Sequence, residues 1–571
     1  MVFPSTSTDA VPFSIWSTTH MLVEPICGNE DDPAMCAPCG RGIPNALGKI
    51  AKPTFSSEQA MRSDSGATES LWMNTVDTQP FPPLTDDARA HVCVIGAGIA
   101  GMTTAYLLAR AGKAVIVIDD GPIGGGETGR TTAHLCTALG DYYSRLAKLF
   151  GNDGARYAAE SHTAAIQRIE AIAELEDIDC DFERLDGFLF LAQDDKRQLL
   201  EDELEATHQA GLTDTGLFER APIEAFDTGV ALRFPRQAQF HVLKYLNGLT
   251  RAITRDGGRI YCGTKAKDIE DGTPATVTTA DGHTIIAEDI VVATHSPVND
   301  WMVMHTKQAA YRTYVVGLRV PIDAIPRMLL WDTADPYHYI SVHQADKAGA
   351  DYEVLIVGGE DHKTGQAQNT DERFTRLETW TRARFPMAGE VIYRWSGQLV
   401  KPVDGLAFIG KNPGTDEHIY IITGDSGNGI THGTIAGILL TDLITGSGNP
   451  WTDIYDPSRI SFRSASTYAR DNMNVAEQYS SWLTPGDVGS AAEIPNESGA
   501  VIRRGMRKIA VYKDASGKVS ECSAVCPHLY CIVDWNDTEK TWDCPCHGSR
   551  FDRYGKVVNG PAMDDLEMVS D

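Results

Sequence analysis

Val92-Cys93-Val94-Ile95-Gly96-Ala97-Gly98-Ile99-Ala100-Gly101 decides the fold. Four apolar residues read as a strand of a parallel sheet, buried on both faces, and the turn after them has glycine at its first, third and sixth places. Ala105, Leu108, Ala109 and Gly112 then recur at helical spacing, so the turn opens into a helix. Gly96 lets the chain turn tightly, Gly98 lets the backbone approach a pyrophosphate, and Gly101 lets helix and strand pack closely. The helix N-terminus presents unpaired N–H groups and a partial positive charge to that pyrophosphate. A second strand, Ala114 to Ile118, ends in Asp119, at the distance expected of a carboxylate that grips a ribose hydroxyl. Strand, glycines, helix, strand and acid in this order specify a dinucleotide site in an α/β fold.

With 571 residues the chain exceeds a single core and is expected to divide into several domains. Its net charge of −28 argues against partners such as nucleic acid or an anionic membrane, whose phosphates it would repel. No apolar run reaches the roughly 18 residues that a membrane span requires. The first 30 residues lack a basic start followed by an apolar core, so a cytoplasmic location is expected. Five of the 12 cysteines (Cys522, Cys526, Cys531, Cys544 and Cys546) fall near the C-terminus, a clustering that points to metal rather than to a disulfide framework.

Residues 1–68 are rich in Ser, Thr, Pro, Gly and Asp and are expected to form an extended or partly disordered arm. Within it His20, Cys27, Cys36 and Cys39 match no defensible zinc spacing and read as loose-arm residues. After Asp119, Gly124, Gly126 and Gly129 formally repeat the glycine fingerprint, but no strand enters that turn, so a loop lying along the same cofactor is expected. Residues 143–176 and 194–210 have helical period, Gly187–Ala192 and Arg259–Cys262 read as strands, and a hairpin is centred on Asp281-Gly282. Strands near 314–320, 339–343 and 353–358, followed by a helix near 371–385, suggest an antiparallel sheet inserted into the nucleotide fold. Ile419 to Gly433 is another strand, glycine turn and helix start.

Three pieces together resemble an FAD-dependent oxidoreductase of the D-amino-acid oxidase, glycine oxidase and sarcosine oxidase type. They are Val92–Gly101 with Asp119, the loop Thr128-Gly129-Arg130-Thr131-Thr132-Ala133-His134, and Gly405–Gly410 followed by Thr423–Gly433. The resemblance implies a Rossmann-like FAD-binding domain with an interleaved antiparallel-sheet substrate domain over residues 69–455. Residues 456–482 are then a linker and 483–571 a small all-β domain. It implies FAD held by Gly96, Gly98, Gly101, Asp119, Gly129, Arg130, Thr131, Thr132, His134, Ala266, Thr294, Gly424, Gly427, Gly429 and Thr431. In some relatives a histidine at the place of His134 bonds covalently to the flavin; a covalent and a free imidazole are both open here. Arg312, Tyr339 and Gln398, with Tyr311 and Tyr337, lie on segments that by resemblance face the flavin, and Arg312 would suit a substrate carboxylate.

The last domain resembles a Rieske protein. Cys526-Pro527-His528, fifteen residues, then Cys544-Pro545-Cys546-His547 supply two thiolates for one iron of a [2Fe–2S] cluster and two imidazoles for the other. Zinc is the alternative that Cys and His allow, but its pairs come as C-x₂₋₄-C and H-x₃₋₅-H rather than C-x-H. Cys531 and Cys546 match positions that form a disulfide in the respiratory Rieske type, while Tyr530 departs from the glycine usual there.

The combination implies an enzyme that oxidises a C–N bond of a small amine or amino acid and passes electrons singly from flavin to cluster, and from there to a one-electron acceptor protein. Two other readings compete. A reductase that feeds NAD(P)H electrons through FAD and cluster to a partner would normally need a second nucleotide fold. A Rieske oxygenase needs an iron held by two histidines and a carboxylate, and His338 and His343 are not spaced for that on a helix face.

Overall fold

The strand Ala88–Ile95 is hydrogen-bonded on both sides, to Val115–Ile118 and to Thr284–Val292, and all three run parallel. In this computed structural model, residues 65–569 are described apart from 300–303, 346–348, 368, 415–416 and 461. The sheet continues in parallel to Ile419–Thr423 on one side and Arg259–Tyr261 on the other, with Phe408–Lys411 added antiparallel at one edge. Its two faces are buried against different layers, which is why its strands are almost wholly apolar. Val92, Val94, Val115 and Val117 pack with the helices Ile99–Arg110, Val242–Arg255 and Gly429–Ile444. Cys93, Ile95, Ile116 and Ile118 face the hairpin strand Ala275–Thr279.

A second sheet of nine strands is built mainly from long antiparallel partners: Gln308–Pro321 lies between Tyr352–Lys363 and Val391–Pro402. It is not purely antiparallel, since Leu329–Asp332 pairs in parallel with Glu183–Phe190. Strand parity sorts its side chains. Tyr314, Val316 and Leu318 join a core with Phe374 and Leu377 of the helix Thr370–Arg384, whereas Tyr311 and Thr313 turn to the opposite face.

The C-terminal unit is all-β. Ser498–Arg504, Arg507–Lys513 and Val519–Ser523 form one sheet; Asp534–Asn536, Thr541–Asp543, Arg550–Asp552 and Val557–Asn559 form another. The loop bearing Cys526 and His528 leads into the second sheet, and the loop bearing Cys544 and His547 joins two of its strands. A disulfide links Cys531 to Cys546 across these loops. Tyr530 takes φ +60°, the left-handed conformation that explains a preference for glycine there.

Part of the segment expected as a linker is the helix Ala465–Gln478, which buries none of its residues and so lacks an apolar stripe to betray it. Its Asp471 accepts from Lys363 at 3.0 Å and its Asn474 from Gln366 at 2.8 Å. Beyond it, Tyr479 donates to the carbonyl of Leu529 at 2.6 Å and Trp482 to that of Tyr530 at 3.0 Å, so the segment ties both units together.

The two units also meet at a buried charge cluster. Glu539, in a hairpin of the C-terminal unit, accepts from Arg130 and Arg312 at 3.3 Å each and from the hydroxyls of Thr68 and Ser396. None of the three charged side chains has solvent exposure. Arg550 lies beside them, 3.2 Å from Asp543 and 3.6 Å from Glu127. Residues 65–68, the end of the expected arm, are held here: Ala67 N–H donates to the Glu539 carbonyl at 3.0 Å, and Ser65 accepts from Arg550 at 2.7 Å. His20, Cys27, Cys36 and Cys39 lie outside the described residues.

Burial opposes ionisation of Glu539, but Arg130, Arg312, Arg550 and Ser396 outweigh it and hold the carboxyl at about 2. A folded value below the unfolded one of roughly 4.3 stabilises the fold above that pH by about 3 kcal/mol, an advantage lost as pH falls toward the folded value. Glu539→Ala, which takes the carboxylate away from the buried guanidiniums of Arg130 and Arg312, is expected to cost about 3–5 kcal/mol at pH 7. In urea unfolding, the advantage of wild type over Glu539→Gln should shrink steadily from pH 5 to pH 2; a pH-independent difference would contradict the assignment.

Candidate active site and cluster-binding loops

Gly96 sits at φ +111°, and a Cβ there would fall 2.4 Å from the carbonyl oxygen of Ala293. At Gly98 a Cβ would stand 3.0 Å from the Thr128 hydroxyl, which accepts the Ile99 N–H at 3.0 Å. The loop around Thr128 therefore closes over the helix N-terminus. Asp119 accepts from the N–H groups of Ala97 at 2.5 Å and Gly121 at 2.8 Å, which sets its carboxylate beside the first turn.

These residues line one end of a cavity of about 770 Å³, within the volume range of cofactor sites. Ala266 and Thr294 lie along it, as do Arg130, Thr131, Thr132 and His134 from the loop, and Gly424, Gly427 and Gly429 from the second turn. Its other half is walled by Tyr311, Thr313, Trp331, Tyr337, Tyr339, Gln398 and Lys401. The C-terminal unit closes part of it with Val557, Val558, Asn559, Gly560, Ala562 and Met563, and the Met563 carbonyl accepts from Lys265 at 2.8 Å.

In the aromatic half, the Lys401 ammonium stands 4.8 Å from the ring centre of Tyr311 and 5.7 Å from that of Tyr337, and pairs with Asp361 at 3.3 Å. Burial raises the Asp361 carboxyl, and Lys401 opposes that rise. Tyr339 and Thr313 share a hydrogen bond of 2.8 Å. His134 has Nδ1 3.1 Å from the Thr132 hydroxyl and Nε2 3.4 Å from the Ile340 carbonyl. Burial lowers its value to about 4, so the imidazole is neutral at pH 7. Burial likewise raises the carboxyl of Asp425, which accepts from Val400 N–H at 2.9 Å at the cavity edge. Such a site can hold a flat ring system, exclude water and offer hydroxyls and one balanced ion pair to a small polar ligand.

Several expected residues stand elsewhere. Arg312 does not reach the cavity: it lies on the strand face opposite Tyr311 and Thr313, and its guanidinium is committed to Glu539. Only part of Arg130 reaches the wall, since its guanidinium bonds Glu539, Ser396 and the carbonyls of Gly66 and Thr68. Gly101 is a packing residue, with a Cβ position 1.9 Å from the Gly96 carbonyl oxygen. Gly129 packs against Met73, and Thr431 spends its hydroxyl on the Asn428 carbonyl of its own helix start. Gln398 lines the cavity but donates to Gly548 of the C-terminal unit at 3.0 Å. Asp361, Lys401, His305 and Glu539 carried no motif in the sequence, and Asp425 sat unremarked within the second glycine turn; they become functional candidates only through their neighbours in space.

At the cluster loops, Cys526 and Cys544 are 0% and 2% exposed and hydrogen-bond one another. His528 and His547 stand with ring centres 5.1 Å apart, and Nδ1 of His547 is buried with no hydrogen-bond partner among the described residues. Two thiols and two imidazoles on adjacent loops fit the donor set of a [2Fe–2S] cluster with mixed ligation. Cys531 and Cys546 also lie near Cys544, but their disulfide removes them as ligands.

Two outcomes follow from this geometry. With both nitrogens of His134 in polar contacts, acid precipitation should leave the yellow colour in the supernatant; colour retained in the pellet would mean a covalent bond. Elemental analysis should give two irons per chain and no stoichiometric zinc, and zinc in place of iron would exclude the cluster.

A family model described as FAD dependent oxidoreductase matches residues 91–443, and one described as Rieske [2Fe-2S] domain matches residues 484–570. YhfW of Bacillus subtilis (strain 168), named as a Rieske 2Fe-2S iron-sulfur protein, is 32% identical over 512 residues, covering 88% of this chain and 98% of its own. Gamma-glutamylputrescine oxidoreductase of Escherichia coli (strain K12) is 27% identical over 383 residues, 64% of this chain and 86% of its own. The crystal structure of glycine oxidase from Geobacillus kaustophilus superposes with a TM-score of 0.54 at 17% identity, over 65% of this chain and 99% of that one, a likeness of fold. Carrying both the glycine-turn cavity and the four-ligand loops, the chain belongs to the FAD-dependent oxidoreductase family and bears a C-terminal Rieske [2Fe–2S] domain.

Proposed function

We propose that the enzyme oxidises the C–N bond of a small amine or amino acid and delivers the electrons from FAD to the Rieske cluster, and from there to a one-electron acceptor. The observation that carries this reading is a continuous cavity, which runs from the dinucleotide turn to an aromatic half and is walled in part by the Rieske unit. Bound there, FAD supplies hydride acceptance, and the cluster supplies one-electron transfer.

The chain's own residues supply the rest. Gly98 and the start of the helix Ile99–Arg110 offer backbone N–H groups to a pyrophosphate, Gly96 makes the tight turn with its own N–H donated to the Ile118 carbonyl, and Asp119 stands where a ribose would lie. Tyr311, Trp331 and Tyr337 shape a dry slot for the substrate, and the hydroxyls of Tyr339 and Thr313 offer it polar contacts. Neutral His134 adds no charge that would repel a cationic amine. The name of the E. coli relative refers to an amine substrate, which supports the same class here.

Anaerobic mixing of the purified protein with a panel of amines and amino acids, and separately with NADH, tests the reading through the visible spectrum. Bleaching of the flavin by at least one amine or amino acid, with NADH inert, is expected. Bleaching by NADH alone would overturn it in favour of a reductase.

A further inference from the structure

Gln398 touches both centres' surroundings at once. It is 5% exposed and lines the cavity, yet its Nε2 donates at 3.0 Å to the carbonyl of Gly548, the residue after the cluster ligand His547. Its Oε1 is buried and has no hydrogen-bond partner among the described residues, leaving an acceptor for whatever fills the cavity. Glycine is needed at 548: φ is +81°, and a Cβ would fall 2.3 Å from Cβ of Ala310 and 2.5 Å from the Gln398 amide nitrogen. The close approach of the cluster loop to this strand is therefore specified by the backbone itself.

His305, in the short turn Met304–Lys307 of the oxidoreductase unit, is 3% exposed. Its ring packs edge-to-face on His528 at 5.0 Å and on His547 at 6.1 Å. An imidazole of one unit thus covers the buried ligand His528 of the other and stands beside His547, which stays partly exposed.

We propose that the Gln398 amide is the electron-transfer contact between the cofactor cavity and the cluster, with His305 closing the ligand His528 to outside molecules and leaving the partly exposed His547 as the exit. The proposal rests on the flavin-to-cluster direction proposed above and names its route. Each crossing oxidises the reduced flavin by one electron, reduces one ferric ion of the cluster to ferrous, and releases a flavin proton to the cavity. A soluble one-electron acceptor removes that electron before the second crosses, so two crossings account for both electrons of one C–N oxidation.

The test needs no amine, which separates failure of the route from failure of the substrate reading. A photogenerated deazaflavin radical reduces FAD in the holoenzyme within a flash, and the following bleaching of the cluster is timed. Gln398→Met, of similar length and without an N–H donor, is expected to slow that phase at least tenfold, with flavin spectrum, FAD content and cluster EPR signal unchanged. Should that variant lose FAD, Gln398→Glu, of the same shape and without the amide N–H, carries the same expectation. An unchanged rate in a variant that keeps both centres would overturn the route. Diethyl pyrocarbonate labelling mapped by mass spectrometry tests the covered ligand: His528 should stay unlabelled in wild type and become labelled in His305→Ala. Labelling of His528 in wild type, or its continued protection in the variant, would overturn that part.

Discussion

The carboxylate of Glu539 has no contact with water, and the whole arrangement of the two units depends on what surrounds it. An isolated buried charge is costly, so a carboxylate there stays ionised only while guanidiniums and hydroxyls remain in place around it. Those groups come from three parts of the chain: Thr68 ahead of the first strand, Arg130 and Arg312 in the cavity elements, and Arg550 in the Rieske unit itself. Such a cluster adds little net stability compared with apolar packing, but it tolerates few geometries. It sets one docking position, and two close approaches match it: at Gly548, and at Gly365, where a Cβ would fall 2.8 Å from the Asp543 carbonyl oxygen.

That docking places the segment Val557–Met563 on the cavity wall and His305 on the cluster ligands. Cofactor site and cluster domain are then parts of one construction rather than two modules on a tether. The residues with the most direct bearing on it, Arg130 and Arg312, look in the sequence like ligands for a cofactor or a substrate. Their arginine chemistry was legible; the identity of the carboxylate was not, because Glu539 lies 227 residues beyond Arg312.

Where the signal is local, the sequence was sufficient. The strand Ala88–Ile95, the turn at Gly96 and Gly98, the helix from Ile99 and the loops holding Cys526, His528, Cys544 and His547 all follow from short-range pattern. Long apolar strands and amphipathic helical segments such as Tyr143–Leu175, broken at Gly151, are equally readable. What failed was side-chain direction and partnership. The resemblance turns the whole segment of Tyr311 and Arg312 toward the flavin, whereas strand parity gives that face to Tyr311 and Thr313 alone. The helix Ala465–Gln478 escaped because it fully buries no residue and is held by contacts made at a distance, polar at Asp471 and Asn474 and apolar at the half-buried Val475.

The central claim is that one docked unit carries electrons from the cavity to the cluster, and low-temperature EPR of the anaerobic holoenzyme tests it most directly. Addition of the amine that bleaches the flavin, with no mediator present, should bring up the signal of the reduced [2Fe–2S] cluster in step with flavin oxidation. A fully bleached flavin beside a cluster that stays oxidised, although dithionite reduces it readily, would contradict the claim.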